Sequence, residues 1–174
     1  MNTLEAIFHR RSTRAYLPKQ ISDGDLEQIL KAGSAAPVAM ARYDSLHITV
    51  VQRDDLIARV FDEAEDAVFA TLGVRKNLNY GAKALIVVSS QPPHREGMDY
   101  ANGGIVIENM VLAATSLGID SVIMGAPIAA LAANPELAQV LGIPQGFRPV
   151  LGVVLGYSAE ENAPKAHTIA VNRI

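Results

Sequence analysis

Two segments of this chain are apolar almost without interruption: Ala84–Ser90 (ALIVVSS) and Arg148–Tyr157 (RPVLGVVLGY). Both are rich in β-branched residues, and a strand with apolar residues on both faces must be covered on both. A sheet covered by helices is therefore the fold these segments demand. The helices to cover it are legible in the remaining periodicity. Leu4, Ile7 and Phe8 recur at helical spacing across Thr3–Arg11. Ser22 is a good N-cap for a helix reaching Ala35 that buries Leu26, Ile29 and Leu30, with Pro37 unable to continue it. Asp54 opens a helix that runs to Leu72 and ends at Gly73, and Asp99–Leu117 is the longest helix, apolar nearly all round, with Gly118 as its C-cap. Asn134-Pro135 starts a short helix to Leu141.

Leu46–Gln52 and Ser121–Met124 complete a set of four strands and five helices, and the tail closes with TIAVNRI, an extended arm able to pair or dock. Strands and helices alternate, which suits a parallel doubly wound sheet. The turn after the first strand, however, is Gln52-Arg53-Asp54-Asp55, so the glycine-rich dinucleotide and phosphate-loop fingerprints are absent. Periodicity does not set strand direction. With 174 residues and no linker or repeat, residues 1–174 are expected to form a single domain that buries roughly 70% of its unfolded surface.

Composition narrows the chemistry. There is no cysteine, which excludes disulfides, thiolate nucleophiles and cysteine-held metal clusters, and which fits a reducing cytoplasm. Redox chemistry would therefore need a bound organic cofactor. A net charge of −3 without a long basic run gives no reason to expect nucleic acid. No segment approaches the roughly 18 apolar residues of a membrane span, and Met1–Phe8 lacks the pattern of a signal peptide. The four histidines, His9, His47, His94 and His167, have no metal-ligand spacing, so no metal site is expected. No serine sits in a nucleophile elbow. Hydrophobic residues make up 49% and mean hydropathy is +0.18. That excess is either an alanine-rich helical core or apolar surface buried in an oligomer. Glu108, a charge on the most apolar helix, lies either at a subunit contact or near a ligand.

Four clusters carry polar or shape information. In Arg10-Arg11-Ser12-Thr13-Arg14, an extended chain would point Arg10, Ser12 and Arg14 to one side, suiting a phosphate; as the end of a helix, the same run is a solvated basic terminus. Lys165 and His167 either clamp an anion or belong to a solvated tail. In Ala36–Asp44, small residues after Pro37 allow close approach of the backbone to a flat ligand, or form an ordinary loop. Ser121–Pro127 is a strand ending in Gly with little side-chain bulk, leaving its backbone N–H groups free to face a ring or simply to exit into a loop.

Taken in order, AIFHRRSTRAY, AGSAAPVAMARYDSLHITVV, NLNYGAKALIVV, DYANGGIVIENMVLAATSLGIDSVIMGAP and LGIPQGFRPVLGVVLGY resemble the nitroreductase family of FMN-dependent enzymes over nearly the whole chain. The resemblance implies an α+β fold: a mainly antiparallel central sheet flanked by helices, in an intertwined homodimer with FMN at the interface. It implies that Arg10, Ser12 and Arg14, with Arg11 nearby, hold the FMN phosphate and ribityl chain, and that Lys165 and His167 complete the phosphate site. Pro37, Val38, Ala39 and Met40 of the other subunit would pack beside the isoalloxazine ring. Asn77 would direct a polar group towards the ring or ribityl, and Met124 and Gly125 would line the opposite side. NAD(P)H would be the transient hydride donor and a nitroaromatic or quinone the small-molecule acceptor, in a ping-pong scheme with no catalytic side chain named.

The sequence departs from the family in two places. The Asn and Gln usual after the Ala-Pro pair are absent from Val38–Asp44, where Ala41 and Tyr43 stand instead, and His167 takes the place of an arginine. Two other readings therefore stand beside the first. One is an FMN-binding protein with little reductase activity. The other is a non-flavin module whose basic run meets an acidic partner surface.

Overall fold

A computed structural model describes residues 1–161 and 167–174. Four strands, β1 (Leu46–Val51), β2 (Ala84–Ser90), β3 (Asp120–Met124) and β4 (Arg148–Gly156), form one sheet in the order β1-β2-β4-β3. Every neighbouring pair is antiparallel, which excludes the parallel doubly wound arrangement and gives the α+β fold. The two apolar segments are the central strands, and all seven residues of β2 are buried.

Alternation along β2 sends side chains to two separate cores. Leu85 and Val87 meet Ile57 and Phe61 of α3 (Asp54–Leu72) and Leu131 of α5 (Ala126–Ala133). Ala84, Ile86 and Val88 meet Ile29 of α2 (Asp23–Ser34) and Ile107 and Met110 of α4 (Met98–Ser116). Each fully buried side chain of this kind contributes about 1.5–3 kcal/mol of transfer free energy. Gly152 of β4 lets α5 approach the sheet, because a Cβ there would collide with Ile128 and lie 3.2 Å from the Ile86 carbonyl oxygen.

The helix ends follow their local chemistry. Ser22 Oγ accepts the Asp25 N–H at 3.1 Å, and Asn134 Oδ1 accepts the Leu137 N–H at 3.0 Å to start α6 (Pro135–Val140). Gly73, with φ of 67°, stops α3. Helix α1 (Thr3–His9) begins with Asn2 and Glu5 exchanging side-chain and backbone bonds. It stops two residues earlier than the pattern predicts, since Arg10 is already extended at φ −52°, ψ 133°.

Helix α5 is absent from the elements that the sequence predicts, and it follows β3 directly after Gly125. Its sequence, APIAALAA, is too evenly apolar to show a helical period. Helix α4 packs on the sheet and on α2 but leaves a stripe with Tyr100, Ile105 and Glu108 exposed, and α1 beside it exposes Leu4, Ile7 and Phe8. Residues 167–174 have no regular structure and are exposed. No helix among the described residues is long and apolar enough to cross a membrane.

Candidate functional site

The basic run leaves α1 as an extended strand and lies along the free edge of β3. Ser12 bridges Ser121 in parallel, and the Thr13 N–H donates to the Ser121 carbonyl at 3.0 Å. Thr13 points into the protein, where its hydroxyl donates to Asp120 Oδ1 at 3.3 Å. Further on, the Tyr16 N–H donates to Tyr80 O at 3.1 Å and the Leu17 N–H to Tyr157 O at 2.8 Å. These bonds anchor both ends of the run to the sheet and to the segment before β2.

With Thr13 turned inward, its neighbours face outward. Arg10, Arg11, Ser12, Arg14 and His167 line one cleft of about 220 Å³. Arg10, Ser12 and Arg14 meet there as the extended-chain reading predicts. Arg11 joins them directly rather than lying nearby. Arg14 Nη1 donates to the Ser12 carbonyl at 3.3 Å, which turns its guanidinium back over the run. Arg11 Nη1 is buried and has no hydrogen-bond partner among the described residues. A buried guanidinium nitrogen without an acceptor is costly, and Arg11 is also one of the residues that line the cleft.

The lining holds three guanidinium groups, an imidazole and a hydroxyl, with no carboxylate among the described residues. That donor set fits a phosphate monoester. A larger cavity, about 500 Å³ between α5, α6 and the start of β4, is mainly apolar. Its only charged lining residue, Arg148, is already engaged by Asp99 and Tyr100.

Behind the cleft, Tyr16 is buried and its hydroxyl has no partner among the described residues. Burial pushes this phenol well above its ordinary range, Asp120 adds to the effect and Arg14 opposes it, so Tyr16 stays neutral beside the cations.

The other residues singled out in the sequence lie outside this cleft. Met124 ends β3 and Gly125 follows it, three and four residues beyond Ser121, or roughly 10 Å or more along the chain. Met124 buries its side chain in the α3 core, so only its backbone is available to a ligand, while Gly125 is exposed at the start of α5 with open space where a Cβ would stand. Asn77 is exposed, and its Oδ1 accepts the Asn79 N–H at 3.0 Å in the turn before β2. Pro37, Val38, Ala39 and Met40 precede β1, on the opposite edge of the sheet in sequence order, and none of them lines the arginine cleft of the same chain. Lys165 lies outside the described residues. Sequence reasoning missed Thr13 and Ser121, which hold the run in place. The alternation around Ser12 offered a signal for Thr13.

The nitroreductase family model matches residues 7–157. The chain belongs to the nitroreductase family. A protein from Archaeoglobus fulgidus, provisionally named NADH dehydrogenase/NAD(P)H nitroreductase, is 33% identical over 161 residues, covering 91% of this chain and 86% of that one. Among solved structures, an FMN-bound nitroreductase from Desulfitobacterium hafniense matches with a TM-score of 0.86 at 29% identity, covering 99% of this chain and all of that one. An FMN-bound nitroreductase from Bacteroides fragilis matches at 0.83 with 32% identity over the same shares. Family membership accounts for the antiparallel sheet and for the ordered set of sequence motifs.

Proposed function

We propose that this nitroreductase-family chain is an FMN-dependent NAD(P)H oxidoreductase, and the observation that carries this reading is the arginine cleft. Arg10, Arg11, Ser12 and Arg14 hold the FMN phosphate, His167 lines the same cleft, and Lys165 completes the site as the family resemblance implies. Arg11 contributes a guanidinium with one nitrogen that has no acceptor among the described residues. Guanidinium groups suit this task because they donate in a planar fork and keep their charge. When bound, FMN would supply the redox chemistry between NAD(P)H and a small nitroaromatic or quinone acceptor, in a ping-pong scheme.

The protein's part is to bind and orient. Met124 and Gly125 offer backbone atoms towards one side of the ring, and Asn77 a polar group near the ribityl. Pro37, Val38, Ala39 and Met40 cover the ring from a second subunit, since they do not meet the arginine cleft of their own chain. An intertwined homodimer is supported by the exposed Leu4, Ile7, Phe8 and Ile105, and by a tail that exposes Ile169 and Val171. Glu108 on the same helix as Ile105 then lies at or beside the subunit contact.

The second reading, a flavin-binding protein with little reductase activity, draws support from Ala41 and Tyr43 in the loop where the family usually carries Asn and Gln. One experiment separates the two: the visible spectrum of purified protein, followed by NADH or NADPH under nitrogen. A yellow protein that bleaches is the expected result. Persistent yellow favours the second reading, and a colourless protein that takes up no added FMN overturns both.

A further inference from the structure

One hydrogen bond crosses from α4 to the loop after α2. Asn102 Oδ1 accepts the Ala39 N–H at 3.1 Å, and Asn102 is only 7% exposed. Asparagine is a poor helix former, and its place on the buried face of α4 runs against local preference. The bond gives it a task that the helix does not need.

The loop needs that bond for two reasons. Its short turn, Ala39–Ala41, has no side-chain cap of its own, and Val38 enters it extended at φ −111°, ψ 135°. The next two residues, Met40 and Ala41, both have positive φ, at 56° and 53°. Neither is glycine, and successive left-handed residues of this kind persist only when their surroundings hold them. Within the turn, the Ala41 N–H donates to Val38 O at 2.9 Å and the Arg42 N–H to Ala39 O at 3.3 Å.

Helix α4 is a firm support. One turn before Asn102, the buried Asp99 is paired with Arg148 at the start of β4, which ties the first turn of α4 to the sheet.

We infer that Asn102 is a positioning residue, which fixes the backbone of residues 37–41 through the Ala39 N–H and so sets the shape of the surface offered to the acceptor. This rests on the reading that the loop covers the flavin ring. Asn102 itself touches neither cofactor nor acceptor in this scheme. It accepts the Ala39 N–H through Oδ1, so alanine loses the function.

The test combines amide hydrogen exchange with steady-state kinetics. In Asn102→Ala, exchange at Ala39, Ala41 and Arg42 accelerates by about three- to tenfold in protein free of FMN, the range that loss of one net hydrogen bond gives. In the FMN-loaded protein, KM for the acceptor rises over a similar range while the FMN Kd changes less than about twofold, since the phosphate cleft is untouched.

Should Asn102→Ala fail to fold, Ala39→Pro alone is expected to raise KM over the same range; where Asn102→Ala folds, the two can be combined. Proline suits the first position of a helical turn after an extended residue, and it deletes the donor. Adding Asn102→Ala to Ala39→Pro then changes KM no further. Unchanged exchange in Asn102→Ala, or additive effects in the double variant, overturns the proposal. So does exchange that responds while KM does not. Failure of the wild-type protein to take up FMN overturns the cofactor reading instead, and the exchange measurement still decides whether Asn102 holds the loop.

Discussion

Thr13 donates its N–H to the carbonyl of Ser121 at 3.0 Å, and this contact sets the direction in which the neighbouring arginines point. A basic run that continued α1 would scatter its charges around a helix. Hung on the edge of β3 instead, with Thr13 buried, the run turns Ser12 and Arg14 outward together. Arg10 and Arg11 reach the same cleft because the chain leaves the helix at Arg10.

Arg14→Ala tests the cleft with little risk to the fold. Arg14 is exposed, and its one described hydrogen bond is to the neighbouring Ser12 carbonyl. The substitution should change apoprotein stability by less than about 0.5 kcal/mol. It should weaken FMN binding by about 1.5–3 kcal/mol, or roughly ten- to hundredfold in Kd, as expected for a lost hydrogen bond to a charged group. Fluorescence titration beside a denaturant melt reads both quantities. Equal FMN affinity in the variant would remove Arg14 from the phosphate site.

Much of this arrangement was legible in the sequence, and the gaps have physical causes. The two central strands, the Ser22 and Asn134 caps and the Gly73 stop are local signals, and the structure places each where the pattern put it. Strand direction was open, because apolar alternation is the same for parallel and antiparallel pairs. Helix α5 was hidden by a sequence with no polar face, although Pro127 near its start was a usable cue. Arg11 was set aside from the other arginines by strict alternation, which the turn out of α1 does not obey. Asn102 carried no local signal at all, since its partner lies 63 residues away.

Tyr16→Phe should leave stability unchanged or raise it. The hydroxyl is buried without a partner among the described residues, so deleting it removes an unsatisfied group and leaves the ring packed against Gly156, where an added Cβ would lie 2.8 Å from Tyr16 Cδ1. The pH dependence follows from the upward shift caused first by burial. An unfolded tyrosine ionises near 10 while the folded one holds its proton, so the associated stability is complete below pH 10 and falls as pH rises above it. The phenylalanine variant should lose that alkaline fall. Denaturant melts at neutral pH and above pH 10 give the comparison, and a variant that is less stable at neutral pH would mean that the hydroxyl has a partner.

The pair between Arg148 and Asp99 is lopsided, since Asp99 is 1% exposed and the arginine side chain 48%. Arg148→Ala strands the carboxylate and should cost about 3 kcal/mol, the low end for a buried charge left alone. Adding Asp99→Asn should recover most of that loss by removing the charge. A double variant no more stable than Arg148→Ala would show that Arg148 contributes through packing on Tyr100, whose ring centroid is 5.2 Å from the guanidinium carbon, rather than through the ion pair.

Arg11→Met should move stability and affinity in opposite directions. In the apoprotein, Arg11 is half-buried with a guanidinium nitrogen that has no acceptor among the described residues. Methionine keeps the aliphatic bulk and removes the unsatisfied donor, so the apoprotein should melt at the same temperature or higher. With FMN added, the same variant should bind at least about tenfold more weakly, because the donor that lacked an acceptor is the one the phosphate would fill. A residue that served only the fold would lose stability on replacement and leave the FMN affinity alone. Melting curves with and without FMN therefore decide the matter, and a destabilised apoprotein with unchanged FMN affinity would remove Arg11 from the site.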